Sequence, residues 1–110
     1  MQDRNVSTLA SSTISVGGSD RTATIEVAGE LDLVSAPALE RALEHELLAG
    51  RSVRLDLSRV DFLDVTGAEV ILRASTRGRL AIAGSVPAEL RRVLTLLDTS
   101  GQLLSSDGHV

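Results

Sequence analysis

The sequence contains no cysteine, no lysine and only one aromatic residue, Phe62. Without cysteine the chain can form neither a disulfide framework nor a thiolate metal site. Its basic side chains are eleven arginines scattered along the chain, and the formal net charge is -4. Because nucleic-acid binding needs a clustered positive face, and single strands also need aromatic rings for stacking, this composition argues against a nucleic-acid partner.

Long apolar runs are also missing. No stretch approaches the roughly 18 consecutive apolar residues of a membrane span, and the first residues lack the basic-then-apolar layout of a signal peptide. We therefore expect a cytoplasmic protein that does not insert into a membrane. With 110 residues, of which 43% are apolar, the chain has the size and composition of one globular domain.

The chain divides into a short polar start, one domain and a short tail. Residues 1–11 are expected to be flexible, the domain spans residues 12–106, and residues 107–110 form the tail. Segments 13–17 and 22–28 alternate apolar and polar residues on either side of a glycine-rich turn. This pattern predicts an antiparallel hairpin.

The stretch 53–78 organises the rest of the domain. Apolar and polar residues alternate from Val53 to Ser58, which predicts a strand followed by a link over residues 59–63. After this link the apolar spacing changes to three and four, which predicts a helix. Gly78 is expected to end that helix in a left-handed conformation.

The start of this helix carries three specific signals. Thr66 and Glu69 fit a capping box, in which each side chain binds the backbone amide of the other residue. Val65 and Val70 occupy the two positions of a hydrophobic staple, and Glu69 is spaced to pair with Arg73. The sequence thus predicts an exposed acidic and hydroxyl-bearing corner where a strand ends and a helix begins.

Two more helices and two more strands complete the expected α/β fold. Ser35 is expected to cap the first helix, which Gly50 ends, and Ser85 to cap the third. Segment 80–83 predicts a strand, and residues 103–104 a short edge strand. We expect one mixed sheet of four to five strands, antiparallel in the N-terminal hairpin and parallel elsewhere, with three main helices packed on it. The apolar stripes of the outer helices are Leu39, Ala42, Leu43 and Leu47, and Leu90, Val93, Leu94 and Leu97.

Several short segments carry a resemblance to a known family. The segment 64–67 (DVTG), preceded by 55–58 (LDLS) and 60–63 (VDFL), resembles the motif of STAS domains, the family of bacterial anti-sigma factor antagonists. The segment 29–32 (GELD) matches that family's other short motif. The similarity covers roughly residues 22–104, and two motifs at the right separation make it specific.

The resemblance implies a regulator of transcription that acts through protein contact. Members of the family bind an anti-sigma factor, itself a serine-protein kinase of the histidine-kinase-like type, and thereby free a sigma factor. A serine after the motif aspartate usually accepts the phosphate that ends this contact; the matching residue here is Val65, which has no hydroxyl. Thr66 is then the candidate phosphoacceptor. The expected partner-binding residues are Asp32, Asp64, Val65, Thr66, Gly67 and Glu69.

Other interpretations stay open beside this binding module. A STAS accessory subunit of a membrane transporter would have nearly the same sequence requirements, and weak self-association is also compatible. A nucleotide hydrolase would use Asp32 and Asp64, which both follow strands and could share an edge of the sheet. No cofactor or metal motif is found, since His45 and His109 are expected to be solvated. The leading expectation is therefore not an enzyme.

Overall fold

The observed elements follow the alternation and spacing of the apolar residues. The computed structural model describes residues 5–9, 12–83 and 85–97. This part of the chain forms five strands and three helices. The strands are β1 (Asn5–Leu9), β2 (Ser12–Gly18), β3 (Thr22–Leu31), β4 (Ser52–Leu63) and β5 (Leu80–Ala83), and the helices are α1 (Ala36–Leu48), α2 (Val65–Ser75) and α3 (Ala88–Leu97).

The strands form one mixed sheet in the order β1-β2-β3-β4-β5. The β1–β2 and β2–β3 pairs are antiparallel, whereas β3–β4 and β4–β5 are parallel because α1 and α2 connect them as crossovers. The predicted α/β fold, with an antiparallel hairpin followed by parallel strands, is confirmed. None of the helices in the described part of the chain is long and apolar enough to span a bilayer.

A single apolar core lies between the sheet and the helices. The alternating residues of β3 and β4 meet the helical stripes there, and the fully buried side chains include Ile25, Leu55, Leu39, Ile71 and Leu94. Fully burying a side chain of this size contributes about 1.5–3 kcal/mol relative to leaving it in water. The core therefore fixes which ends of the strands and helices come together.

Two ion pairs join the exposed sides of α1 and α2. Arg73 donates to Glu40 at 3.3 Å, and Arg77 pairs with Glu44. In each pair the two residues are 33 positions apart in the chain, as expected for two parallel helices that pack side by side. The predicted pair between Glu69 and Arg73 within α2 is wrong, because Arg73 reaches across to α1.

Strand β4 is longer than the sequence predicts. The expected strand ends at Ser58 and is followed by a link over residues 59–63, but β4 continues to Leu63. Two register shifts against β3 each insert one extra residue in β4, so its buried positions after Leu57 are spaced by three. These bulges break the two-residue alternation on which the prediction depended. At the first bulge, the Asp56 carboxylate accepts hydrogen bonds from the Ser58 amide and hydroxyl at 2.9 and 2.7 Å.

The start of the chain and the end of α2 also differ from the prediction. The sequence predicts residues 1–11 to be flexible, but Asn5–Leu9 form β1 by antiparallel pairing with β2. Helix α1 ends just before Gly50 as predicted, and Gly50 has a left-handed backbone with φ of +84°. Gly78 does not end α2 in this way, because α2 already ends at Ser75 with Thr76 in a right-handed conformation.

The third helix begins later than predicted. Helix α3 starts at Ala88, so Ser85 lies ahead of the cap position and its expected capping role is wrong. The Pro87 carbonyl accepts the first helical hydrogen bond, from the amide of Arg91 at 2.9 Å. The predicted edge strand at residues 103–104 and the tail at 107–110 lie outside the described residues.

Candidate functional site

Two motifs that are far apart in the sequence meet at one edge of the sheet. Leu31 ends β3, Leu63 ends β4, and the two residues are partners in the parallel register. Asp32 and Asp64 follow these partners directly, so both lie at the edge expected from the sequence. The Asp64 amide donates a hydrogen bond to the Leu31 carbonyl at 3.1 Å. We call this region, residues 30–35 and 61–69, the corner.

Gly67 is required for the close packing inside the corner. A Cβ atom at this position would lie 2.7 Å from the Leu31 carbonyl oxygen, 2.8 Å from Leu31 Cγ and 3.0 Å from Leu63 Cδ1. Two of these distances are shorter than real Cβ contacts, and one of them involves backbone that cannot rotate away. Only glycine lets the first turn of α2 pack directly on the end of β3.

The first turn of α2 is capped by Asp64. Its backbone is extended (φ -100°, ψ -179°), and its carboxylate Oδ1 accepts a hydrogen bond from the Gly67 amide at 2.9 Å. The Asp64 carbonyl also accepts from the Ala68 amide at 3.0 Å, which is the first helical hydrogen bond. Aspartate is among the strongest N-cap residues, and its negative charge is favoured at a helix N-terminus.

The predicted capping box and staple are therefore wrong by two residues. Thr66 lies inside the first turn of α2 and not at the cap. With Asp64 as the cap, the residues at the staple positions are Leu63 and Ala68, both buried. Val65 takes no part in a staple and is instead 55% exposed.

The two assignments of the cap differ in the stability that each predicts. We expect Asp64→Ala to lower the free energy of unfolding by about 1 kcal/mol, because an orphan amide loses its acceptor. We expect Thr66→Ala to change it by less than about 0.5 kcal/mol. Urea unfolding of both variants measures these values, and a larger loss for Thr66→Ala would restore the capping box.

The turn after β3 is held by Asp32 and Ser35. Asp32 Oδ1 accepts hydrogen bonds from the amides of Val34 and Ser35 at 3.0 and 3.2 Å. The Ser35 hydroxyl donates to the Glu30 carbonyl at 2.8 Å and accepts from the Asp32 amide at 3.0 Å. Asp32 is thus the turn residue that its local sequence indicates. Ser35 is the N-cap residue of α1 as predicted, but its side chain makes no capping hydrogen bond, because the hydroxyl binds the preceding turn.

The corner has a defined shape because hydrogen bonds fix its turn and the start of its helix. Backbone amides hold the carboxylates of Asp32 and Asp64, and both residues are partly buried. In the part of the chain that the structure describes, no group of three or more His, Cys, Asp or Glu side chains is placed to hold a metal ion. Glu69 is exposed on the outer side of α2, and Thr66 is partly buried in its first turn.

Exposed apolar side chains lie close to Asp32 and Asp64 in the chain, and the sequence did not predict three of them. Leu33 is 70% exposed, Val34 63% and Phe62 51%, in addition to Val65. Leu33 and Val34 follow Asp32 directly and fit no helical or strand period. This misfit is the sequence signal that could have indicated their exposure. Phe62 could not be placed from the sequence because its outward position depends on the second bulge of β4.

The family model described as "Mlab, STAS domain" matches residues 14–105 of the chain. An anti-sigma factor antagonist from Mycobacterium paratuberculosis has a similar structure, with a TM-score of 0.70 and 30% identity over 86% of each chain. The unphosphorylated anti-sigma factor antagonist SpoIIAA shares the fold, with a TM-score of 0.63 and 17% identity over 97% of this chain and 90% of its own.

An anti-sigma factor antagonist STAS domain from Rhodobacter sphaeroides shares the fold as well, at a TM-score of 0.56 and 16% identity over 86% of this chain and 98% of its own. No curated protein matches the sequence. The family match covers the hairpin, both motifs and all three helices of the described fold. The chain belongs to the STAS domain family.

Proposed function

We propose that this protein is an anti-sigma factor antagonist that binds a kinase-like anti-sigma factor through the corner and thereby frees a sigma factor. The observation that carries the proposal is the exposed, rigidly held junction of the two family motifs at the ends of β3 and β4. The similarity to an anti-sigma factor antagonist at 30% identity over 86% of both chains supports the same assignment.

The expected partner-binding residues then have two kinds of role. Asp32, Asp64 and Gly67 shape the corner, because their hydrogen bonds and close packing fix the turn and the start of α2. Val65 and Glu69 are exposed and supply contact surface. A partner that docks here meets a surface whose geometry exists before binding, which lowers the entropic cost of association.

Control of this contact differs from the usual family switch. A valine at position 65 cannot accept phosphate, so we propose that phosphorylation at this position does not release the partner. Thr66 is the remaining hydroxyl in the motif. A phosphate on Thr66 would add about -1.5 to -2 charges close to Asp64 and Glu69.

The balance of charges at Thr66 predicts release of the partner on modification. Repulsion between unit charges about 4 Å apart is on the order of 4 kcal/mol at an effective dielectric of about 20, before screening by salt. The favourable interaction with the helix N-terminus is only about 0.3–1 kcal/mol. Repulsion therefore dominates, and the cap at Asp64 would open.

This proposal predicts that Thr66→Glu weakens anti-sigma factor binding at least about tenfold, whereas Thr76→Glu, at the other end of α2, leaves it within about twofold. Isothermal titration calorimetry measures both. Intact-mass and fragment analysis after incubation with ATP and the anti-sigma factor locates any phosphate. A phosphate elsewhere, or none, removes Thr66 as the phosphoacceptor.

Release of a sigma factor is the direct test of the function. The full chain is immobilised, bound proteins are captured from lysate and identified, and the captured anti-sigma factor is then prepared in complex with its sigma factor. We expect the chain to displace the sigma factor in a concentration-dependent way. Capture of a transporter ATPase instead would favour the accessory-subunit alternative.

The hydrolase alternative has a separate test. Nucleotide turnover is compared between the wild type and Asp32→Ala. Because Asp32 holds the turn through backbone amides, we expect equal background rates in both proteins. A rate that falls with Asp32→Ala would support hydrolysis.

A further inference from the structure

The acidic residues of the chain are concentrated at the corner. Its 15 positions contain five of the fifteen Asp and Glu residues and no Arg. The remainder of the chain has ten acidic residues against eleven arginines, a formal charge of +1. These 15 positions therefore carry a formal charge of -5, against -4 for the whole chain. The five residues are Glu30, Asp32, Asp61, Asp64 and Glu69.

The exposed apolar side chains are concentrated at the corner as well. Among the described residues, six large apolar side chains are exposed, and four of them lie within three residues of the register partners Leu31 and Leu63. These four are Leu33, Val34, Phe62 and Val65. The other two, Leu48 and Leu96, lie on α1 and α3 outside the corner. Exposed apolar side chains together with acidic ones have the composition of a protein-binding surface.

Two carboxylates at this surface retain acceptor capacity. In Asp32 and Asp64 the hydrogen bonds from backbone amides all use Oδ1. A carboxylate accepts on both oxygens, so Oδ2 of each residue is available to a cationic donor from outside the chain. Arginine is suited to this role, because its planar guanidinium donates to carboxylates with defined geometry.

We infer that the corner recognises a protein segment that combines apolar side chains with arginine or lysine side chains. This inference rests on the proposed function and specifies the partner's surface. Charge complementarity favours such a basic segment over other possible binding partners. Nucleic acids and anionic membranes would bring further negative charge to the corner, and a second copy of this chain docked through the same surface would place two acidic corners against each other.

The two components of the surface have separable consequences. The apolar side chains contribute affinity because Leu33, Phe62 and Val65 are removed from water, an effect that salt does not screen. The acidic side chains contribute rate and specificity, and salt weakens this contribution over a Debye length of about 10 Å at 0.1 M. Binding is therefore expected to weaken with salt without being abolished.

Photo-crosslinking tests the inference in the full chain. The photoreactive residue p-benzoylphenylalanine replaces Leu33 or Phe62 in the corner, and Leu48 or Leu96 as matched exposed controls. Each protein is irradiated in lysate at about 50 mM and about 500 mM NaCl. Mass spectrometry then identifies the crosslinked partner and the segment that carries the crosslink.

We expect crosslinks from positions 33 and 62 to a segment that contains apolar residues beside Arg or Lys, with a yield that falls severalfold at the higher salt. The inference would be overturned by crosslinks to an acidic or uncharged segment, or by a yield independent of salt. Crosslinks from positions 48 and 96 alone, or no crosslink, would also overturn it. A basic apolar segment in a protein that regulates no sigma factor would support this surface and contradict the proposed function. An anti-sigma factor crosslinked only at position 48 or 96 would support binding to an anti-sigma factor and contradict this binding surface.

Discussion

Gly67→Ala is expected to lower the free energy of unfolding by about 2–3 kcal/mol, the cost of forcing a methyl group into a closely packed site. The added Cβ would lie 2.7 Å from the Leu31 carbonyl oxygen, which also accepts the hydrogen bond from the Asp64 amide. Relief of this clash requires the start of α2 to move away from β3. The same substitution thus opens the corner as well as destabilising the fold.

Gly78→Ala is the matched control. A Cβ there would meet the end of the flexible Leu47 side chain at 2.9 Å, and Gly78 has no left-handed backbone. We expect a change of less than about 1 kcal/mol in urea unfolding. Equal losses for the two variants would show that the contact between Gly67 and Leu31 does not hold the corner.

Leu31→Ala is expected to cost about 3 kcal/mol, within the range of about 2–5 kcal/mol for Leu→Ala in a core. Leu31 is fully buried, and its Cγ would lie 2.8 Å from a Cβ at Gly67. Removing that Cγ relieves part of the clash that Gly67→Ala creates. The double variant should therefore be more stable than the sum of the single losses predicts, by about 0.5–1.5 kcal/mol.

Ile82→Ala provides the control for this coupling. Ile82 is also fully buried but pairs with Leu55, in the part of β4 away from the corner. Its cost should add to that of Gly67→Ala within about 0.5 kcal/mol. Denaturant unfolding of the three single and two double variants measures both couplings, and equal values would contradict a specific contact at Leu31.

The fold could be predicted largely because local patterns and tertiary packing agree. The alternation in β3 matches the buried face of the structure, and the apolar spacing of α1 and α2 places Leu39, Leu43, Ala68 and Ile71 in the core. The parallel pairing of β3 with β4 follows from the crossover helix between them. Strand β1 could not be predicted, because its sequence lacks a clear alternation of apolar and polar residues. The strand forms through its pairing with β2.

The candidate site was predicted in its location but not in its detail. The sequence places Asp32 and Asp64 after strands, and the structure shows that those strands end side by side. The cap could not be assigned, because Asp64 and Thr66 are both good N-cap residues and the bulges that extend β4 decide where α2 begins. The approach of Gly67 to Leu31 joins residues 36 positions apart, a contact that no local pattern reports.

The binding roles at the corner stay a prediction, and affinity for the captured anti-sigma factor tests them most directly. Val65→Arg and Leu48→Arg each place the same charge at an exposed apolar position of a helix, 55% and 87% exposed in the native chain. Isothermal titration calorimetry should show at least about tenfold weaker binding, about 1.4 kcal/mol, for Val65→Arg, because an apolar contact is lost and a cation faces the basic partner segment, and a change within about twofold for Leu48→Arg. Equal affinities for the two variants would contradict docking at the corner.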